Sequence, residues 1–426
     1  MNFLEHAAAI KDVTFKGFAG HQFTLNSGFL LESPSYVFRK EAQTENSVSF
    51  VSHSEDIKVI KKFTFDNSNY CMELKLDFQN NSGQTTKIIP LLTLGDLVFT
   101  AQNAQSRFQD IAISTREKTT HFNGRKDINL DEINYIALRD QYFCAILETE
   151  QKNCQARIKK ISNSESRAEI SLPEITIPPK SQIGQKFKIY LGPQNLKILN
   201  SINPSWGFVI NFGTFDVISQ VLIKLLEIIF QIVRNWGLAI VILSLLIYLI
   251  LFPLTLKQMR SMKEMQVLQP KVEELRKLYK DNPQRMNKEV LELYREHKVN
   301  PFGGCLPLLL QMPIFFALYQ ALLRSAALKG AKFLWIKDLS EPDRLWLIPF
   351  SLPILGNEVN ILPILITIGM FIQQKISPQS ASSASSEQQK MMVVLMPLLF
   401  GIIFYHMPAG LVLYWFVNST LMLVYQ

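Results

Sequence analysis

The chain has 426 residues, 48% of them hydrophobic and 19% charged, with a formal net charge of +8, enough for two or three domains. Before Pro204 it holds 24 basic and 22 acidic residues, the balance of a soluble domain; the 20 basic and 14 acidic residues after it lie between apolar blocks. That excess suits anionic lipid, a nucleic-acid-rich partner or plain solvated loop ends, while Cys71, Cys144, Cys154 and Cys305 form no CxxC pair and leave the redox compartment open.

The opening MNFLEHAAAIKDV is polar and does not read as a signal peptide. Residues 1–204 read as an all-β sandwich. Tyr70, Met72, Leu74, Leu76 and Phe78 alternate with Cys71, Glu73, Lys75 and Asp77, the period of a strand with one buried face. Phe63 and Phe65 mark a neighbour across the turn-forming Asp66-Asn67-Ser68-Asn69, and Phe187, Ile189 and Leu191 repeat the pattern before Gly192-Pro193. No Gly-rich phosphate loop, GxSxG or His cluster is present, so a binding or scaffolding module is expected there, with no cofactor and no metal.

Residues 205–236 read as a connector with an interfacial amphipathic helix. Asp216, Ser219, Gln220, Lys224, Glu227, Gln231 and Arg234 share an arc of ~140° and apolar residues cover most of the rest. Trp236 at its end is where an interfacial aromatic belongs.

Leu238 to Leu256 carries no charge, and at about 1.5 Å per residue it crosses roughly 28 Å, close to a bilayer core. Ser244, Tyr248 and Thr255 fall within ~40° of one another on this helix. Such a stripe suits either a polar cavity or hydroxyl-mediated helix packing. The charged block 257–300 follows, with eleven Lys or Arg and seven Asp or Glu, and predicts two antiparallel helices broken at Asp281-Asn282-Pro283. Its basic excess predicts a cytoplasmic side, and its charges suit a solvated face equally well. Further apolar stretches at Cys305 to Leu323, Ile361 to Ile376, Met391 to Met407 and Ala409 to Gln426 bring the expected spans to five, with a flexible Ser-rich loop at 377–389.

The stretch NPFGGCLPLLLQMPIFFALYQAL at 300–322 strongly resembles the YidC family of membrane protein insertases. NWG at 235–237, FPLT at 252–255, LQPK at 268–271, LWIKDLS at 334–340, LPIL at 362–365, QQKISP at 373–378 and PAGLVLYW at 408–415 follow in that family's order, and YLGPQN at 190–195 extends the likeness more faintly into the β domain. The resemblance implies a bacterial inner-membrane protein with a periplasmic β domain, an interfacial helix and a five-helix core over 237–426. Its hydrophilic groove would receive nascent membrane segments and release them into the lipid bilayer. Ser244, Gln311, Phe315, Tyr414 and Trp415 resemble that family's groove or substrate-contact positions. Tyr248 and Asn418 join them by position, Tyr248 standing where the family typically has an Arg. A phenol offers hydrogen bonding and a ring face, whereas the guanidinium would attract acidic segments.

The resemblance also implies an additional span before the large domain, so this polar start is expected to belong to a processed or incomplete chain. A ribosome, a targeting receptor or the Sec translocon are the expected partners of the hairpin and the periplasmic domain. A secondary transporter is the main competing reading, although the spans offer no intramembrane acid or base apart from His406 near one end. An intramembrane enzyme is disfavoured, since His406 has no evident partner in sequence.

Overall fold

The structure, a computed structural model, describes all residues except 34–35, 55, 67–68, 100–107, 281, 298, 300–305, 353–354, 377–385 and 426. The chain divides into two compact units, Met1–Asn211 and Phe212–Gln426. The first continues past the expected end at 204 because Trp206 is wholly buried and the Tyr135 hydroxyl donates to the Ser205 carbonyl at 2.8 Å.

Antiparallel pairing accounts for every strand contact described in the first unit. The larger sheet has nine strands, in the order Thr119–Phe122, Asp110–Thr115, Ile133–Arg139, Phe143–Thr149, Gln182–Pro193, Cys71–Asn80, Ile57–Asp66, Ser47–His53 and Arg39–Gln43. Leu91–Val98, from a five-stranded second sheet, packs across Ile133–Arg139 and Phe143–Thr149. The alternation legible in the sequence is the alternation observed: Met72, Leu74, Leu76 and Phe78 are buried, and Phe63 and Phe187 flank Leu74 from either side. Tyr70 falls outside the strand, in a left-handed turn conformation at φ 57°. Part of the turn expected at 66–69 lies outside the described residues. Cys71, Cys144 and Cys154 are free thiols.

Lys61 breaks the pattern of this core. It is fully buried, donates from Nζ to the Phe29 carbonyl, and its Nζ lies 5.3 Å from the Phe63 ring centre and 5.8 Å from that of Phe38. Burial disfavours the ammonium and lowers its pKa to about 7 from 10.5. The unfolded chain therefore binds the extra proton between those values. Stability is lowest below pH 7 and rises as pH climbs toward 10.5. Urea unfolding followed by β-sheet circular dichroism should show that rise. Lys61→Met should flatten it and stabilise the unit at pH 6, on the order of a few kcal/mol at ~1.4 kcal/mol per pKa unit.

The second unit is helical. After α1 (Leu196–Ile202) in the first unit come α2 (Asp216–Val233), α3 (Trp236–Leu278), α4 (Pro283–Glu296), α5 (Leu306–Leu323), α6 (Ile361–Ile376), α7 (Ser386–Tyr405) and α8 (Ala409–Tyr425). Helix α3 starts where Asn235 accepts from the Leu238 amide at 3.0 Å. It runs 43 residues through Pro253 and Pro270, roughly 65 Å at the usual rise. The first arm of the predicted hairpin is thus a continuation of the apolar helix. The hairpin core forms from Met265, Leu268, Val272 and Tyr294, with Asn282 capping α4 and Pro283 at its first turn. Leu278, at the end of the first arm, is 71% exposed. Ser386 to Gln389, expected in the flexible loop, form the first turn of α7, because Glu387, Gln388 and Gln389 are strong helix formers; residues 377–385 of that loop lie outside the described residues.

Helix α2 packs on α5 and α3. Ser219, expected on its polar arc, is buried and donates to the Ala317 carbonyl at 2.8 Å. Its open face is part apolar, with Val217 and Ile232 76% and 78% exposed and Val221 and Ile228 beside them, and part polar, with Lys224 and Gln231 exposed. Aliphatic side chains also cover the outside of the bundle, among them Leu249, Ile250, Ile368, Leu398 and Ile402. Among the described residues one helix stretch, Trp236–Met265, is long and apolar enough by itself to cross a membrane; Gln311–Leu323, Ile361–Gln374, Val394–Tyr405 and Ala409–Tyr425 are shorter apolar helices.

The connection from α5 to α6 is held by a buried polar clamp. Asp343 Oδ2 accepts from the Ile361 and Leu362 amides at 2.9 and 2.8 Å and from the Trp335 indole at 3.3 Å, capping α6. Asn360 accepts from the Arg344 amide and donates to the Tyr405 carbonyl, both at 2.8 Å, so the ends of α6 and α7 are tied together. Gly237 is needed at the start of α3, since a Cβ there would lie 2.0 Å from the Phe333 ring of the same connection.

Candidate functional site: a polar and aromatic seam between three helices

The hydroxyl stripe of α3 resolves into two kinds of residue. Ser244 is fully buried and its Oγ donates to the Ile240 carbonyl at 2.7 Å; Thr255 donates to Leu251 in the same way at 3.2 Å. Both hydroxyls are satisfied by the carbonyl one turn back, a local bond that consumes a hydroxyl inside its own helix. Ser244 therefore departs from the expected groove-facing role: neighbouring Leu243 and Ile247 carry it into the packed interior. Tyr248 behaves differently. It is half-buried, with its hydroxyl 3.5 Å from the Leu421 carbonyl of α8, at the outer limit of a hydrogen bond.

Helices α5 and α8 supply a tighter polar pair. Gln311 donates from Nε2 to the hydroxyl of the fully buried Tyr414 at 2.7 Å. Asn418, one turn further on α8, donates to the Tyr414 backbone carbonyl at 2.9 Å. The spacing of four that places Tyr414 and Asn418 on one face thus also connects them.

Below this pair the seam is aromatic. Phe315 stands edge-on to Trp415, ring centres 5.1 Å apart and planes at 81°. Trp415 also meets Phe404 at 5.3 Å and Phe400 at 6.2 Å. The two phenylalanines of α7 were not singled out from sequence, although their spacing of four on one helix was the available signal. The Trp415 indole N–H is buried and has no hydrogen-bond partner among the described residues. A buried donor left without an acceptor costs free energy that a visiting acceptor would recover.

Tyr248, Gln311, Tyr414 and Asn418 thus supply hydroxyls and carboxamides, and Phe315 and Trp415 supply ring faces, on helix segments without a charged side chain. No group of three or more His, Cys, Asp or Glu side chains able to hold a metal occurs among the described residues. The arrangement can donate and accept hydrogen bonds and stack, but it has no paired nucleophile and base.

Two family profiles match, one described as "60Kd inner membrane protein" over residues 228–426 and one as "YidC periplasmic domain" over residues 12–225. The chain is 34% identical over 402 residues to a protein of Herminiimonas arsenicoxydans named membrane protein insertase YidC, covering 89% of this chain and 69% of that protein. It is 32% identical over 419 residues to the protein of the same name from Geotalea daltonii, covering 96% of this chain and 75% of that one. Among solved structures, an active YidC insertase with its first transmembrane domain resolved aligns over 95% of this chain and 89% of its own, at 19% identity and a TM-score of 0.44.

Proposed function

Starting from the fact that this chain belongs to the YidC family of membrane protein insertases, we propose that its seam of Tyr248, Gln311, Phe315, Tyr414, Trp415 and Asn418 is the surface along which a nascent segment enters the bilayer. The chain is a bacterial inner-membrane protein that inserts other membrane proteins. In this reading α3, α5, α6, α7 and α8 are the five core spans of residues 237–426. The β unit, Met1–Asn211, forms the periplasmic domain, and the basic hairpin 257–300 faces the cytoplasm.

The observation that carries the proposal is the pairing of Gln311 with Tyr414 beside the unpartnered Trp415 N–H, within helices that are aliphatic on their outer faces. Polar groups inside a membrane helix are costly, and their gathering on one seam gives a hydrophilic flank somewhere to bond on its way across. Insertion scales assign about 2.5 to 3.5 kcal/mol to each charged residue at a helix centre, so even partial relief accelerates crossing. The hydrophobic part of the substrate leaves sideways into lipid. No energy-consuming reaction is involved, because the apolar segment itself supplies the driving force.

Ser244 in this reading tightens the contact of α3 with its neighbours. Tyr248 takes the place of a fixed positive charge, so hydrogen bonding and stacking replace Coulomb attraction for an acidic flank. A ribosome, a targeting receptor or the Sec translocon would meet the chain at the hairpin, whose support is its basic balance. The test is reconstitution of the full chain in liposomes. A single-span substrate with a short charged flank should insert severalfold faster than into empty liposomes, without nucleotide; equal rates would overturn the proposal.

A further inference from the structure

The connection between α5 and α6 carries a β-hairpin, Trp346–Leu352 paired with Gly356–Val359, that the insertion seam does not use. Its largest exposed side chains are apolar: Trp346 is 67%, Leu347 69% and Phe350 60% accessible, and Ser351 and Asn357 are the exposed polar ones among the described residues. Trp346 and Leu347 are adjacent in a strand, so they project from opposite faces. A single protein partner would cover one face. A two-stranded hairpin with bare apolar residues on both is also marginal in water, which points to a medium that surrounds it.

Charge placement agrees. From Leu345 to Asn357 the sequence LWLIPFSLPILGN has no charged residue, and the first charges on either side, Arg344 and Glu358, pair with each other at 2.7 Å across the base. The base is fixed: the Leu345 amide donates to Val359, and Asn360 and Asp343 bind the hairpin's end to the first turn of α6, which starts at Ile361. The hairpin is therefore a short apolar blade clamped at the mouth of an apolar helix, with its ion pair at the depth where the blade begins.

We propose that this hairpin is a lipid-interface anchor. Trp346, Leu347 and Phe350 enter the boundary between headgroups and acyl chains on the membrane side opposite the basic hairpin, where an aromatic belt forms and apolar side chains penetrate ~5–10 Å. Inserted there, it holds the α5–α6 connection at a fixed depth while substrate passes the seam. The inference rests on α6 and α3 spanning the bilayer as proposed above.

The test uses the full chain in phosphatidylcholine and phosphatidylglycerol liposomes, with benzoylphenylalanine placed singly at Phe350, at Ile250 on the outward face of α3, or at Val37 in the β unit, which are 60%, 74% and 71% exposed. Irradiation should give lipid adducts at 350 severalfold above those at 37 and comparable with those at 250. Lipid adducts at 250 with none at 350, or crosslinks from 350 to a second copy of the chain, would overturn the anchor alone. Lipid adducts at neither 350 nor 250 would overturn both the anchor and the spanning arrangement. As a second variant, Trp346, Leu347 and Phe350 changed together to Ser should leave the fold intact and lower the severalfold stimulation of insertion; undiminished stimulation would count against the anchor.

Discussion

Replacing Asp343 with Ala should destabilise the helical unit by about 3 kcal/mol, combining the usual ~1 kcal/mol of a lost helix cap with donors left unsatisfied in a buried site. Asp343 is only 3% exposed, and one of its oxygens accepts from Ile361, Leu362 and Trp335 together. Removing it strips the first turn of α6 of its acceptor and frees the indole that fixes the preceding loop. The second oxygen, Oδ1, has no hydrogen-bond partner among the described residues. Asp343→Asn can therefore put its amide nitrogen there, keep all three accepted bonds and cost much less. Hydrogen exchange at the Ile361 and Leu362 amides in detergent should show protection lost in the Ala variant and largely kept in the Asn variant. Equal protection in wild type and Asp343→Ala would show that the clamp does not hold α6.

The largest functional effect is expected from Gln311→Leu combined with Tyr414→Phe. These two side chains bond each other at 2.7 Å, so replacing both with apolar groups of similar shape removes donor and acceptor together, while Asn418 keeps its bond to the Tyr414 backbone carbonyl, and the cost to stability is small. Either change alone would strand a polar group and confuse folding with function. In the double variant, insertion of a substrate with a charged flank should slow by about tenfold or more, equivalent to ~1.4 kcal/mol of barrier. A substrate with an uncharged flank should be slowed far less. Equal slowing of both substrates would assign the pair to packing.

Much of this architecture was legible in the chain because it rests on period and composition. The buried alternation of Met72, Leu74, Leu76 and Phe78, the Asn282-Pro283 helix start and the apolar stretches each follow from local rules. What escaped depended on contacts far apart in sequence. Ser244 and Tyr248 look alike as members of a hydroxyl stripe, yet one is closed onto Ile240 and the other reaches toward Leu421 on a different helix. Lys61 sits where alternation calls for an apolar residue, and nothing near it in sequence announces that Phe29 will offer a carbonyl. In sequence the stretch Trp346–Val359 shows mainly aromatic, aliphatic and proline residues; only pairing shows that its apolar residues cover both faces of a strand. The continuity of α3 through Pro270 was hidden by the shift from apolar to charged composition at Lys257, a change of surroundings and not of backbone.

The proposed route is tested most directly by photocrosslinking from position 248 to a stalled nascent membrane protein, compared with position 250, whose side chain is 74% exposed on the outward side of the same helix. Adducts with the nascent segment should form from 248 and be scarce from 250, where lipid is the expected partner. Substrate adducts from 250 matching or exceeding those from 248 would contradict passage along the seam.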